Sequence, residues 1–119
     1  MFTTAGVTTG NSPVAAGPIS EAPPREYLLD QNYPNPFNPT TVFRYQLPVE
    51  SYVTLKLFNT LGQEVATVIN DELTGEGVQE VEFDGSNLAS GVYYYKISAR
   101  EEATGHIEFT AARKMILVK

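Results

Sequence analysis

From Tyr27 onward the sequence keeps a period of two, and that rhythm limits the folds open to it more than any other feature. Thr41–Leu47 sets Phe43, Tyr45 and Leu47 against Val42, Arg44 and Gln46, and Tyr52–Asn59 sets Val53, Leu55 and Leu57 against Tyr52, Thr54, Lys56 and Phe58. Val92–Ala99 sets Tyr93, Tyr95, Ile97 and Ala99 against Val92, Tyr94, Lys96 and Ser98. Val78–Phe83 follows the rule less cleanly, with Val78 and Glu80 opposed to Val81 and Phe83. Successive side chains of a strand point to opposite faces, so alternation rich in aromatic and β-branched residues marks half-buried strands. Val65–Ile69 adds a short apolar run, and Ile107–Thr110 with Lys114–Val118 supplies the last strand material.

Turn-forming residues punctuate these runs at Leu61-Gly62, at Thr74-Gly75-Glu76-Gly77, at Asp84-Gly85-Ser86-Asn87 and at Thr104-Gly105. No stretch of ten to twelve residues carries a helical period. About seven short strands at this spacing predict an all-β fold, an immunoglobulin-like antiparallel β-sandwich. Within it, Leu88–Tyr95 has the pattern of the strand that opens on a tyrosine corner. In this reading Tyr93 bonds back to the backbone and Tyr95 points into the core; the alternative is simply two inward tyrosines on a strand, and the role is structural either way.

The first 26 residues differ in kind. They are rich in Thr, Ala, Gly, Pro and Ser, and Pro13, Pro18, Pro23 and Pro24 forbid a continuous helix or central strand. Residues 1–26 are therefore expected to be a flexible linker or an added start, and residues 27–119 the folded domain, the last module of a larger protein.

Composition removes several classes of function. A net charge of −6 argues against nucleic acid, which demands a clustered basic surface, and against a polybasic membrane patch. No run approaches the ~20 apolar residues of a transmembrane helix, and the first six residues lack the basic and apolar regions of a signal peptide. There is no Cys, so no disulfide framework exists. Between Lys56 and Lys96 lie seven acids and no base, whereas Arg113, Lys114 and Lys119 crowd the last seven residues. This reads as a solvated acidic edge and a basic terminus.

The catalytic inventory is thin: a single His, His106, and no nucleophile-elbow, zinc-protease or phosphate-loop pattern. His106 follows a Gly in an expected hairpin loop and reads as solvent-facing. Asp71-Glu72 and Glu101-Glu102 are adjacent, so on strands their carboxylates diverge. Asp84–Asn87 offers oxygens, but turn chemistry alone accounts for that composition. No enzyme activity, metal or cofactor is expected. The remaining candidate is aromatic: if the strands holding Tyr52, Phe58 and Tyr94 pair, these rings share a flat face suited to a protein contact more than to a sugar.

Four local motifs carry a more specific signal. The segment Leu29–Thr41 holds Pro34, Asn35, Pro36, Phe37 and Pro39, a stiff lead-in that wedges Tyr33 or Phe37 against the first long strand. Gly62 and Glu64 follow in a Gly-x-Glu motif, Ser90, Gly91 and Tyr93 in a Ser-Gly-x-Tyr motif, and Lys114-Met115-Ile116-Leu117-Val118-Lys119 as an apolar run between lysines. In this order they resemble the type A C-terminal sorting domain of the type IX (Por) secretion system, over Tyr27–Lys119. Val78 and Gln79 stand where that family often begins a strand with His. The resemblance implies a non-catalytic address tag on a larger cargo protein. Its partners would be the outer-membrane secretion translocon and a sortase-like peptidase, with the cargo in the periplasm in transit and then secreted or held at the cell surface. The recognition residues it implies are those of the four motifs. The lead-in and Gly-x-Glu motifs also resemble the immunoglobulin-like domain of flagellar hook-capping proteins and sandwich modules of bacterial glycosidases. That likeness leaves an accessory, spacer or carbohydrate-binding module of an extracellular enzyme as the alternative.

Overall fold

A computed structural model describes residues 26–119; the linker expected at residues 1–26 lies, except for Glu26, outside them. Seven strands form: β1 (Leu28–Leu29), β2 (Thr40–Leu47), β3 (Ser51–Phe58), β4 (Glu64–Thr74), β5 (Gly77–Asp84), β6 (Gly91–Glu101) and β7 (Ile107–Leu117). The seven strands pair antiparallel throughout, in a three-stranded sheet of order β1-β2-β5 and a four-stranded sheet of order β4-β3-β6-β7. With β3 and β6 central in one sheet and β2 and β5 paired in the other, this is the expected immunoglobulin-like sandwich.

The alternating residues define the core. Phe43, Tyr45 and Leu47 from β2 meet Val53, Leu55 and Leu57 from β3 and Tyr93, Tyr95, Ile97 and Ala99 from β6, all buried. Each large apolar side chain removed from water contributes ~1.5–3 kcal/mol. The Phe43 ring lies 4.7 Å from that of Tyr95 at 48°, a tilted aromatic pair at the centre of the sandwich. Tyr95 buries a phenol as well, and its hydroxyl donates to the Asp30 carbonyl at 2.7 Å and accepts from the Asn32 amide at 2.8 Å. Burial of the ring pushes the Tyr95 pKa up to about 12, because the phenolate would be stranded there.

Two strands run longer than the apolar runs that announce them. In β4, register shifts against β3 break the alternation, so only Val65–Ile69 reads as strand although the ladder continues to Thr74. In β7, Ile107–Thr110 and Lys114–Leu117 are joined through Ala111, Ala112 and Arg113 into one element, and Val118 of the expected run lies just beyond it. The ladder with β6 holds that middle stretch, and Arg113 bridges the sheets by donating from Nε to the Leu29 carbonyl of β1 at 2.7 Å.

The register sets two poles. At one lie the β2–β3 and β4–β5 turns, the β6–β7 hairpin and Tyr27, whose ring stacks on Phe109 at 5.4 Å and whose hydroxyl meets Ser51. At the other lie the start of β2, the β3–β4 hairpin, the β5–β6 loop and the end of β7. Within the described residues the chain therefore runs from one pole, at Tyr27, to Lys119 at the other.

Candidate recognition surface

The lead-in crosses from one sheet to the other. Asn32 starts it: this side chain is 2 % exposed and donates from Nδ2 to Thr41 Oγ1 at 3.0 Å and to the Pro34 carbonyl at 3.2 Å. Tyr33 exchanges backbone hydrogen bonds with Val42 of β2, leaving its ring 80 % exposed. Phe37 takes the opposite role. Its N–H donates to the Ile116 carbonyl and its carbonyl accepts from Val118 N–H, both at 2.9 Å, and its ring is buried. Of the two candidates Phe37 is the wedge, and it seats against the last strand, not the first long one. The edge of β7 near its end offers free backbone groups, and a proline-interrupted segment can satisfy those without forming a full ladder.

Gly85 makes room for that ring. A Cβ at Gly85 would fall 3.1 Å from Phe37 Cε2 and 3.3 Å from the Pro39 carbonyl oxygen. The Asp84–Asn87 composition thus does more than turn the chain: Asp84 Oδ1 accepts from Ser86 N at 2.9 Å to shape the turn, and Gly85 receives the phenyl edge. The Ser86 hydrogen bonds hold the Asp84 carboxyl below its usual range.

The terminal residues lock onto the same place. Ile116 N–H donates to Asn35 Oδ1 at 2.9 Å. Lys119 N–H donates to Ser90 Oγ at 3.0 Å, while its ammonium caps the Ser86 and Leu88 carbonyls at 2.7 and 2.8 Å. Three residues after Ser90, on β6, Tyr93 makes the corner, its hydroxyl donating to the Ala89 carbonyl at 2.6 Å. Strand parity divides Lys114–Lys119 in two: Met115 and Leu117 are buried, whereas Lys114 and Val118 are exposed and Ile116 half-buried.

The Gly-x-Glu motif reaches this pole through the β3–β4 hairpin. Asn59 Oδ1 accepts from the N–H groups of Leu61 and Gln63, and Gly62 turns the chain at φ +83°, a conformation that penalises a side chain. Glu64 lies opposite Phe58, which lies opposite Tyr94, itself opposite Lys114. Hydrogen bonds from Thr67 Oγ1 at 2.6 Å and Lys56, 3.3 Å away, lower the Glu64 pKa. The fold thus brings the four motifs, from Pro34 to Lys119, to one pole.

Secretion system C-terminal sorting domains match this chain over residues 31–107, more than half its length. The chain belongs to that family. The matched interval takes in the lead-in, the Gly-x-Glu motif and the Ser-Gly-x-Tyr motif and stops before Lys114. No curated protein matches the chain. Membership marks it as a sorting domain of type IX secretion, the pathway through the outer membrane to the cell surface or beyond.

His106 is exposed in the β6–β7 hairpin. Asp71 faces Arg100 at 3.1 Å, and Arg44 sits 3.6 Å from Asp30 and 3.9 Å from Glu80, so folding supplies bases to acids that have none near them in sequence. Among the described residues no group of three or more His, Cys, Asp or Glu is placed to hold a metal ion. A cleft of about 380 Å³ on the three-stranded sheet is lined by Asp30, Gln31, Tyr33, Val42, Arg44 and Glu80. Sequence reasoning missed Asn32, Gly85 and the capping role of Lys119. A buried Asn beside prolines and a Gly next to Asp-Ser look like ordinary loop residues until their partners are in place.

Proposed function

We infer that the domain is the non-catalytic address of a larger cargo protein, recognised through the pole that gathers its four motifs. The observation that carries this reading is their convergence at the end opposite Tyr27. Cargo joined through residues 1–26 would leave from the far pole, so a reader could engage Pro34–Phe37, Gly62 and Glu64, Ser90–Tyr93 and Lys114–Lys119 without meeting the cargo. The work asked of the protein is binding. Phe37, Met115 and Leu117 hold the pole in shape, and Asn35, Lys114 and Ile116 present its outer surface. The partners in this reading are the outer-membrane translocon and the sortase-like peptidase that removes the domain after passage. The cargo would cross the periplasm and finish secreted or surface-held.

The test is a periplasmic reporter fused ahead of the full chain in a Gram-negative host with type IX machinery, with reporter measured in medium and on cells. Export that depends on the fused chain and falls on removal of Lys114–Lys119 supports the reading. Export unchanged by that removal counts against it.

A further inference from the structure

The four-stranded sheet has an outer face whose charges are not balanced. Lys56 of β3 lies directly opposite Lys96 of β6, an arrangement that destabilises a sheet. Lys56 is compensated by Glu64 at 3.3 Å, and Arg100, a further base on this face, is held by Asp71 and lies 4.4 Å above the Tyr52 ring. Among the described residues Lys96 and Lys114 form no ion pair. They flank Tyr94, which is 41 % exposed: Lys114 stands opposite it, and Lys96 follows two residues on. On its other side Tyr94 faces Phe58, and one row nearer the pole the outward Ile116 pairs with Val92. The result is an apolar centre of Phe58, Tyr94 and Ile116 with two uncompensated cations on its rim, in a chain whose net charge is −6.

We propose that this face docks an acidic protein surface. The proposal rests on the sorting reading and deepens it, because Lys114 and Ile116 are the outward half of the terminal segment. Charge complementarity names the partner: two free ammonium groups beside an aromatic anchor suit carboxylates around an apolar contact, the pattern of an interface centre with a charged rim. A sheet face is broad and flat, which suits a protein more than a small molecule. A glycan would need directional donors and acceptors at the centre, where Phe58 and Ile116 offer none. Anionic lipid would call for a cluster of roughly four to eight free bases, and the face has two.

The experiment uses the reporter fusion of the full chain. K96A/K114A takes the chain from −6 to −8 by removing two positive charges, and L28E/V78E on the other sheet takes it to −8 by adding two negative ones. Secretion is expected to fall about tenfold or more for K96A/K114A and less than twofold for L28E/V78E. The melting temperature of K96A/K114A should hold or rise, since the Lys56–Lys96 repulsion is removed; a loss of secretion with an equal loss of folding would overturn the proposal. A photoreactive phenylalanine at position 94 should capture one discrete protein during export. K96E/K114E should abolish that adduct, and Asp or Glu→Lys changes at the captured site of the partner should restore it. A glycan ladder at position 94, no adduct, or no charge-swap rescue would overturn the proposal. If wild type is secreted and K96A/K114A is secreted equally well, the docking face alone falls. If the wild-type fusion is not secreted, the sorting reading falls and takes the docking face with it.

Discussion

Replacing Phe37 with Ala should loosen the recognition pole while leaving the centre of the sandwich assembled. The ring is 1 % exposed and sits against Leu117 and the bare backbone of Gly85. Phe→Ala at buried sites costs about 3–5 kcal/mol, the amount depending on how far neighbours collapse into the hole. Gly85 has no side chain to move inward and fill the hole. We therefore expect ~3–4 kcal/mol, a large share of the 5–15 kcal/mol typical of a domain. At ~4–8 °C per kcal/mol for a domain of this size, the melting temperature should fall by ~12–30 °C. The chain has no Trp, so guanidinium unfolding is followed by tyrosine fluorescence and far-UV circular dichroism. Hydrogen exchange locates the effect: Val118 and Phe37 N–H, which bond each other's segments, should lose protection before the β3–β6 ladder does. A loss below ~1 kcal/mol, or unchanged protection at Val118, would refute the claim that this ring fastens the lead-in to β7.

Other expectations follow from the same geometry. Gly85→Ala should cost ~1–3 kcal/mol, because the new methyl meets Phe37 and the Pro39 carbonyl at 3.1 and 3.3 Å. Gly62→Ala meets no atom within 4 Å, so its cost of ~1–2 kcal/mol in denaturant unfolding is the backbone penalty at φ +83° alone. Tyr95 favours the neutral phenol in the folded state, so its contribution is complete below pH 10 and is lost as pH rises towards 12. Stability measured across that window should decline, and Tyr95→Phe should flatten the decline while lowering stability at pH 7 by ~1–3 kcal/mol through the unpaired Asn32 amide and Asp30 carbonyl.

Much of this fold is legible in its alternation. Phe43, Tyr45 and Leu47, Val53, Leu55 and Leu57, and Tyr93, Tyr95, Ile97 and Ala99 all turn inward as the period requires. The tyrosine corner at Tyr93 is legible as well, because its partner is four residues away. What sequence conceals is distant partnership. The bulged half of β4 loses its period because register shifts rotate its side chains, and Ala111, Ala112 and Arg113 join β7 through a ladder that two alanines and a charged residue do not advertise. The motif residues are visible as patterns, but their meeting is not: Asn35 reaches Ile116 only when the lead-in crosses to the second sheet, and Ser90 reaches Lys119 only when β6 and β7 have paired. Parity within the terminal run is readable in principle. Which half faces the core depends on β7 sitting at the sheet edge under Phe37.

The central claim is that recognition resides in one pole, and it is tested by comparing two core truncations matched for stability. Phe37→Ala opens the pole where the motifs meet. Leu47→Ala empties a buried site at the opposite pole, where Leu47 pairs with Gly77, and should cost a similar ~2–5 kcal/mol. Reporter export is measured for both fusions at a temperature where circular dichroism shows each to be folded. The account predicts that Phe37→Ala loses export and Leu47→Ala keeps it; equal loss in both, or export retained by Phe37→Ala, would contradict it.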